Sequence, residues 1–375
     1  MSRRCSRAFE STEGCHRLAG HATTVPDGAS PIAARDRLLA CLEGRPVDRP
    51  PVICPGGMMT MATTSAMRAS GAFWPSAHSD PRAMADLVLA TQRETGFECL
   101  SVPFCMTVEA EVLGCTIDFG TETVLPHVTV EAIQDVGELK RLPTFEPGSS
   151  GRAPVVLEAL RLLKGEGSSW PVIGAVVGPV SLAAMVMDAG LYLRALRRDP
   201  DGTQRLLAVT TEVTLNFALA QHAAGADCVM IAEPSATGEV LGARHFAGFA
   251  APMLARILVA LRGSRVPGIL HICGDLRPIL GPLRELRDAV GGQLAVSVDA
   301  MVSGRVLQEG VPRATRVGNI DALLLERGPV ERIAAAGRKA ALDFDIISPA
   351  CGLVPTTSPE HLRALVRAVR DKDEA

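Results

Sequence analysis

An imidazole and a thiol stand two residues apart in His271-Ile272-Cys273, at the end of an apolar run and just before Gly274. A second thiol, Cys351, follows 78 positions later. Side chains at i and i+2 of a strand share one face, so His271 and Cys273 can enter one pocket, and a distant loop can bring Cys351 to them. Such a donor set suits zinc. Three protein ligands leave one coordination position open, as catalytic zinc requires and structural zinc does not. Two thiolates favour a further sulfur ligand, so the chemistry indicated is binding and activation of a thiol. The spacing becomes a site only if the elements carrying it converge.

The other cysteines carry less. The chain has 10 Cys, and Cys41, Cys54, Cys99, Cys115 and Cys228, each inside an apolar or amphipathic run, read as small apolar filler. Cys5 and Cys15 lie in a polar N-terminal stretch. That stretch begins with basic residues but has no apolar segment of a secretory signal; residues 1–31 are expected to be poorly ordered. A cytoplasmic location is expected on that reading, where disulfides are disfavoured. The 375 residues are 47% hydrophobic with a net charge of −3, which supplies a large core and no basic footprint for nucleic acid. No apolar run is read as membrane-spanning.

What must hold the donors is legible in the alternation of short apolar runs with helical ones. Strands are expected at Pro51–Cys54, Cys99–Val102, Pro171–Val177, Asp227–Ile231, Gly268–His271, Leu294–Val298, Thr315–Gly318 and Phe344–Ile347. Helices are expected at Ala33–Gly44, from Pro81 to Thr95 behind an Asp80 cap, at Pro200–Ala224, Ala243–Leu261 and Pro278–Val290, and from Ser358-Pro359-Glu360 to Arg370. The pattern predicts an α/β fold, a single (β/α)₈ TIM barrel over residues 32–375. An insertion between the second and third strands, about Gly114–Trp170, is too long for one crossover and is expected to hold extra strands (Val124–Val128) and a helix near Val155–Leu163. In such barrels chemistry sits at the carboxyl ends of the strands. His271 and Cys273 end the fifth, Cys351 follows the eighth, Asp299 ends the sixth and Glu233 follows the fourth, so separate segments converge on one rim.

The stretch VPFCMTVEAEVLG at Val102–Gly114, with GFE before it, resembles the methylcobamide:coenzyme M methyltransferases and related corrinoid methyltransferases of the uroporphyrinogen decarboxylase-like superfamily. RDRLLACLEGRPVDRPPV at Arg35–Val52, PGGMMTMA at Pro55–Ala62, Trp74-Pro75 with His78 and Asp80-Pro81, GPVSLA at Gly178–Ala183, EPSATGEVL at Glu233–Leu241, HICG at His271–Gly274 and PACG at Pro349–Gly352 extend it over about Pro31–Arg370. The resemblance implies a zinc-dependent methyltransferase whose ligands fall on His271, Cys273 and Cys351. It implies a small thiol, coenzyme M by family default, activated as a zinc thiolate, and methylcobalamin on a separate corrinoid protein as donor. The chain has no D-x-H-x-x-G cobalamin-binding motif, which fits a stand-alone methyltransferase.

Further residues have two readings each. Asp299 is either a fourth zinc ligand, as in the zinc site of cobalamin-independent methionine synthase, or a carboxylate orienting His271; Glu233 is its runner-up. Gly178 and Ser181 open a helix whose free N–H groups either hold an anionic substrate group such as a sulfonate or merely make a tight turn. Ser235, Thr237 and Gly238 share those readings. Met58, Met59 and Met61, after Gly56-Gly57, are either an adaptable corrinoid-facing lid or core. Glu109 and Glu111 line the pocket or form ordinary salt bridges, and His222, His245 and His361 read as structural. Among rival functions, a porphyrinogen decarboxylase would need basic residues near the first strand, but Cys54–Thr64 has no Arg. Methyl transfer from another donor, or to a pterin acceptor, uses the same barrel. A redox or zinc-storage role would leave the family match accidental.

Overall fold

The computed structural model describes residues 32–55, 61–165 and 169–371; residues 1–31, Met58 and Met59 lie outside them. Nine strands are present among the described residues: β1 Leu100–Val102, β2 Thr116–Asp118, β3 His127–Val130, β4 Val172–Val177, β5 Cys228–Ala232, β6 Gly268–Ile272, β7 Ala295–Val298, β8 Thr315–Ile320 and β9 Ile346–Pro349. Seven of them form one parallel sheet in the order β1-β4-β5-β6-β7-β8-β9, and β2 and β3 pair as a separate antiparallel hairpin. Every residue of β4, β5 and β7 is buried, as a parallel sheet covered on both faces requires.

The first expected strand, Pro51–Cys54, is not a full strand. It makes a single parallel bridge, Val52 to Ile347. The backbone N–H of Ile53 donates to Ile347 at 2.8 Å, Ile347 donates back to Pro51 at 2.9 Å, and Glu98 donates to Val52 at 2.8 Å. The segment therefore lies between β9 and β1, where the eighth strand of a barrel belongs. Pro50 and Pro51 have no N–H to extend the ladder. Side chains fasten the seam instead: the buried Glu98 carboxylate accepts from Val52 N at 3.0 Å and from Arg49 at 2.6 and 2.7 Å.

Helices fill the crossovers. Pro81–Thr95 starts where Asp80 accepts from Arg82 N and Ala83 N, and it stops at Gly96 with φ 77°; a left-handed position there favours glycine. Between β1 and β4 lie a short helix at Val108–Val112, the β2–β3 hairpin and a helix at Ala153–Gly165. The helical run Gly242–Gly263 corrects one reading. Its 22 residues, with a mean hydropathy of 1.4 over an 18-residue window, are long and apolar enough to cross a membrane. It is the crossover from β5 to β6, and it buries Leu254, Ile257, Leu258 and Leu261 against the barrel, which accounts for the apolar stripe.

Candidate metal centre

His271 is the fourth residue of β6, fully buried, with Ala232 of β5 and Ser297 of β7 as its register neighbours. Its Nδ1 lies 3.0 Å from Ser297 Oγ, and its Nε2 lies 3.2 Å from Cys273 Sγ. Cys273 follows the strand on the same face, as the alternation of strand side chains dictates. The chain then turns at Gly274, with φ 70°, where a Cβ would sit 2.6 Å from Glu239 Oε2. Cys351 comes two residues after β9, where the backbone N–H of Ala350 is still bonded to Ile320. Its Sγ is 3.8 Å from that of Cys273.

The donor atoms of His271, Cys273 and Cys351 all lie within 4.8 Å of one another. A separation of 3.8 Å is far from the about 2.05 Å of a disulfide. It matches the about 3.8 Å edge of a tetrahedron with metal–sulfur bonds of about 2.3 Å. The nitrogen–sulfur edge is slightly shorter than the about 3.6 Å of such a tetrahedron. The set thus fits zinc by donor type and by spacing. Electrostatics agree. The hydrogen bond from Cys273, opposed by burial, holds the Cys351 thiol down to about 4. The same contact, with burial and the nearby Asp299 charge, pushes Cys273 up. A cation in place of the shared proton would let both sulfurs ionise.

This geometry sits in a chain whose relatives are known. The uroporphyrinogen decarboxylase (URO-D) family profile matches residues 33–372. A methylcobamide:CoM methyltransferase of Methanosarcina acetivorans is 31% identical over 90% of this chain and 97% of its own length. One of Methanosarcina barkeri is 32% identical over 92% and 99%. The solved structure of a methyltransferase from Methanosarcina mazei is 31% identical, with a TM-score of 0.82 over 91% of this chain and 99% of that one. The chain belongs to the methylcobamide:CoM methyltransferase family. It is a methyltransferase.

The other expected site residues are placed as follows in this methyltransferase. The hydrogen bond of the Asp299 carboxylate goes to the turn after Cys273. Its Oδ2 accepts from Gly274 N at 3.1 Å, so it holds the turn after Cys273, and the orienting contact to the imidazole comes from Ser297. Glu233 is fully buried beside β6, its N–H bonded to the His271 carbonyl. Its carboxylate accepts from Val180 N at 3.1 Å, Ser181 N at 2.6 Å and Ser181 Oγ at 2.5 Å. Burial, opposed by those bonds, pushes it up to about 7. Of the two readings of Gly178 and Ser181, the geometry matches the tight turn: the N-terminus of helix Pro179–Val186 receives the protein's own carboxylate. Gly178 is needed because a Cβ would lie 2.2 Å from Glu233 Oε2. The remaining loop residues are similarly engaged, Ser235 N donating to Ser181 Oγ at 2.9 Å and Thr237 Oγ1 accepting from Val240 N at 3.1 Å.

Met61 is fully buried 4.0 Å from Cys99 Sγ and packs in the core rather than on a lid. Glu111 is ion-paired with Arg152 at 2.5 Å, while Glu109 is buried, accepts from Val177 N at 2.7 Å and is pushed by burial up to about 8. His222, His245 and His361 each meet a backbone carbonyl.

Sequence reading missed Cys105, which entered only within the VPFCMTVEAEVLG stretch. Burial opposes ionisation of its thiol. His78, Arg152 and Thr107 outweigh that and hold the thiol down to about 6. Thr107 Oγ1 donates to the sulfur at 3.4 Å and Arg152 Nη1 at 3.6 Å. The available signal was its place three residues after β1, at the carboxyl end of a barrel strand.

Proposed function

We propose that this methyltransferase moves a methyl group from a methylated corrinoid, carried by a separate protein, to a small thiol, and that His271, Cys273 and Cys351 hold a zinc ion for that purpose. Coenzyme M is the first thiol to try, since the relatives' names contain it. The observation that carries this reading is the convergence of one imidazole and two thiols within 4.8 Å at the carboxyl ends of β6 and β9.

When bound, zinc supplies Lewis acidity that lowers the pKa of an incoming thiol, and the methylated corrinoid supplies an electrophilic methyl group. The protein's residues supply the rest. Two thiolates and one imidazole leave a neutral, sulfur-preferring site with one position free. Ser297 fixes the imidazole, and Asp299 fixes the turn that carries Cys273. The sulfur of the substrate takes the methyl group, and the electron pair of the cobalt–carbon bond stays with cobalt. The proton lost by the thiol leaves to solvent. We place the reaction in the cytoplasm, consistent with free thiols at all the described cysteines.

Mixing zinc-loaded protein with free methylcobalamin and a panel of thiols tests the proposal. Methylation of one thiol well above the zinc-free control is expected. Calorimetry in buffers of different ionisation enthalpy should show release of about one proton per thiol bound. No thiol methylation by zinc-loaded protein would overturn the reading.

A further inference from the structure

We propose that Ser297 is the positioning residue of the metal centre, selecting the imidazole tautomer of His271 that leaves Nε2 free to bind a metal. The inference rests on the zinc reading above and extends it to a strand that carries no ligand. His271 and Ser297 are register partners on adjacent parallel strands, so their side chains leave the sheet side by side. Both are fully buried. The other register neighbour, Ala232, has no polar side-chain group, so Ser297 is the cross-strand residue that meets the ring. Oγ stands 3.0 Å from Nδ1, while Nε2 faces Cys273 Sγ.

An imidazole that binds metal through Nε2 must carry its proton on Nδ1, and a buried N–H needs an acceptor. The serine oxygen provides one. In the opposite tautomer the Nε2 proton would occupy the side where Cys273 lies. A hydroxyl also suits the charge balance. Zinc with two thiolates is neutral, and a carboxylate at position 297 would add an unpaired charge in a fully buried place. The nearest carboxylate in sequence, Asp299, follows the strand's last residue and bonds the Gly274 N–H instead. β7 and the residue that follows it thus hold the His-x-Cys segment at two points, Ser297 at the ring and Asp299 at the turn.

The test compares Ser297→Ala with Ser101→Ala, which removes another fully buried hydroxyl, bonded to the Cys54 carbonyl at 2.6 Å. Zinc affinity is measured by chelator competition, and the His271 tautomer is read in the metal-free protein by long-range proton–nitrogen correlation. Ser297→Ala should weaken zinc binding by roughly 10- to 100-fold and convert a single Nδ1–H tautomer into a mixture. Ser101→Ala should leave both unchanged. Unchanged affinity and tautomer in Ser297→Ala, or equal losses in the two variants, would overturn the proposal. A wild-type protein that binds no zinc would instead defeat the metal reading, while the tautomer measurement would still decide the role of Ser297.

Discussion

Two sulfur sites on the carboxyl rim of this barrel use the same element in opposite company. After β6 and β9, Cys273 and Cys351 face each other and an imidazole nitrogen, so three electron pairs converge on one space. After β1, Cys105 faces donors, the Thr107 hydroxyl and the Arg152 guanidinium, with the His78 ring beside them. Converging lone pairs repel and call for a cation between them. Converging N–H and O–H groups call for an anion and stabilise the thiolate without a metal. By contrast burial dominates at Cys41 and Cys99 and pushes them up to about 12. The surroundings of each cysteine, more than its burial, decide its chemistry.

The contrast breaks most sharply if the wrong cysteine holds the metal. Cys273→Ala and Cys351→Ala should each lose most of the zinc, with helical content unchanged by circular dichroism, while Cys105→Ala should keep it. Full zinc occupancy in the first two variants would remove the metal centre. Loss in the third would show that the rim sites are one.

A second prediction concerns the thiolate itself. Its donors hold the Cys105 thiol down to about 6, below the ordinary thiol range, so the ultraviolet thiolate band that vanishes in Cys105→Ala should have a midpoint well below that range. The sign for stability follows from the depressed value. The charged sulfur contributes fully above the unfolded thiol's value, and that contribution is lost as pH falls through about 6. The stability gap between wild type and Cys105→Ala should therefore widen from pH 6 to pH 9, measured by urea unfolding. A band that appears only above pH 9 would erase the contrast.

Arg152 sharpens the same point with a smaller effect. It is buried, reaches Cys105, Thr107 and Glu111, and lies 4.7 Å from the Phe119 ring centroid. Replacing it by Met removes the cation but keeps much of the volume. The Cys105 midpoint should rise by roughly 1–3 units. An unmoved midpoint would assign the activation to His78, whose two ring nitrogens are buried without a hydrogen-bond partner at bonding geometry.

The grouping of His271, Cys273 and Cys351 was legible because strand alternation and barrel topology fix it: i and i+2 at the end of β6, and a loop after β9. The caps at Asp80 and Ser358 were legible because they are local. What escaped was pairwise. That Glu233 would fill the N-terminus of helix Pro179–Val186 depends on a contact across two strands, and no spacing reports it. The same holds for Ser297, which became the partner of His271 only through the β6–β7 register. Pro51–Cys54 looked like a strand because its residues are apolar; the prolines before Val52 hold the pairing to one bridge.

Asp299 gives the smallest and most discriminating test. Its Oδ2 holds Gly274 N at 3.1 Å, and its own backbone carbonyl accepts from Asn319 Nδ2 at 3.1 Å. In Asp299→Asn an amide oxygen can still accept from Gly274, but a charge-assisted bond becomes a neutral one of about half the strength. The carboxylate's pressure on Cys273, which pushes that thiol up, also disappears. The turn should loosen slightly while the three donors stay. Zinc should remain stoichiometric, and methyl transfer to thiol should fall by about 3- to 10-fold, the equivalent of roughly one hydrogen bond. Asp299→Ala, which removes the acceptor, should cost more in turnover and still retain the metal. If Asp299→Asn instead loses zinc to a weak chelator, the carboxylate is a ligand, and the fourth position of the centre is filled by the protein until substrate displaces it.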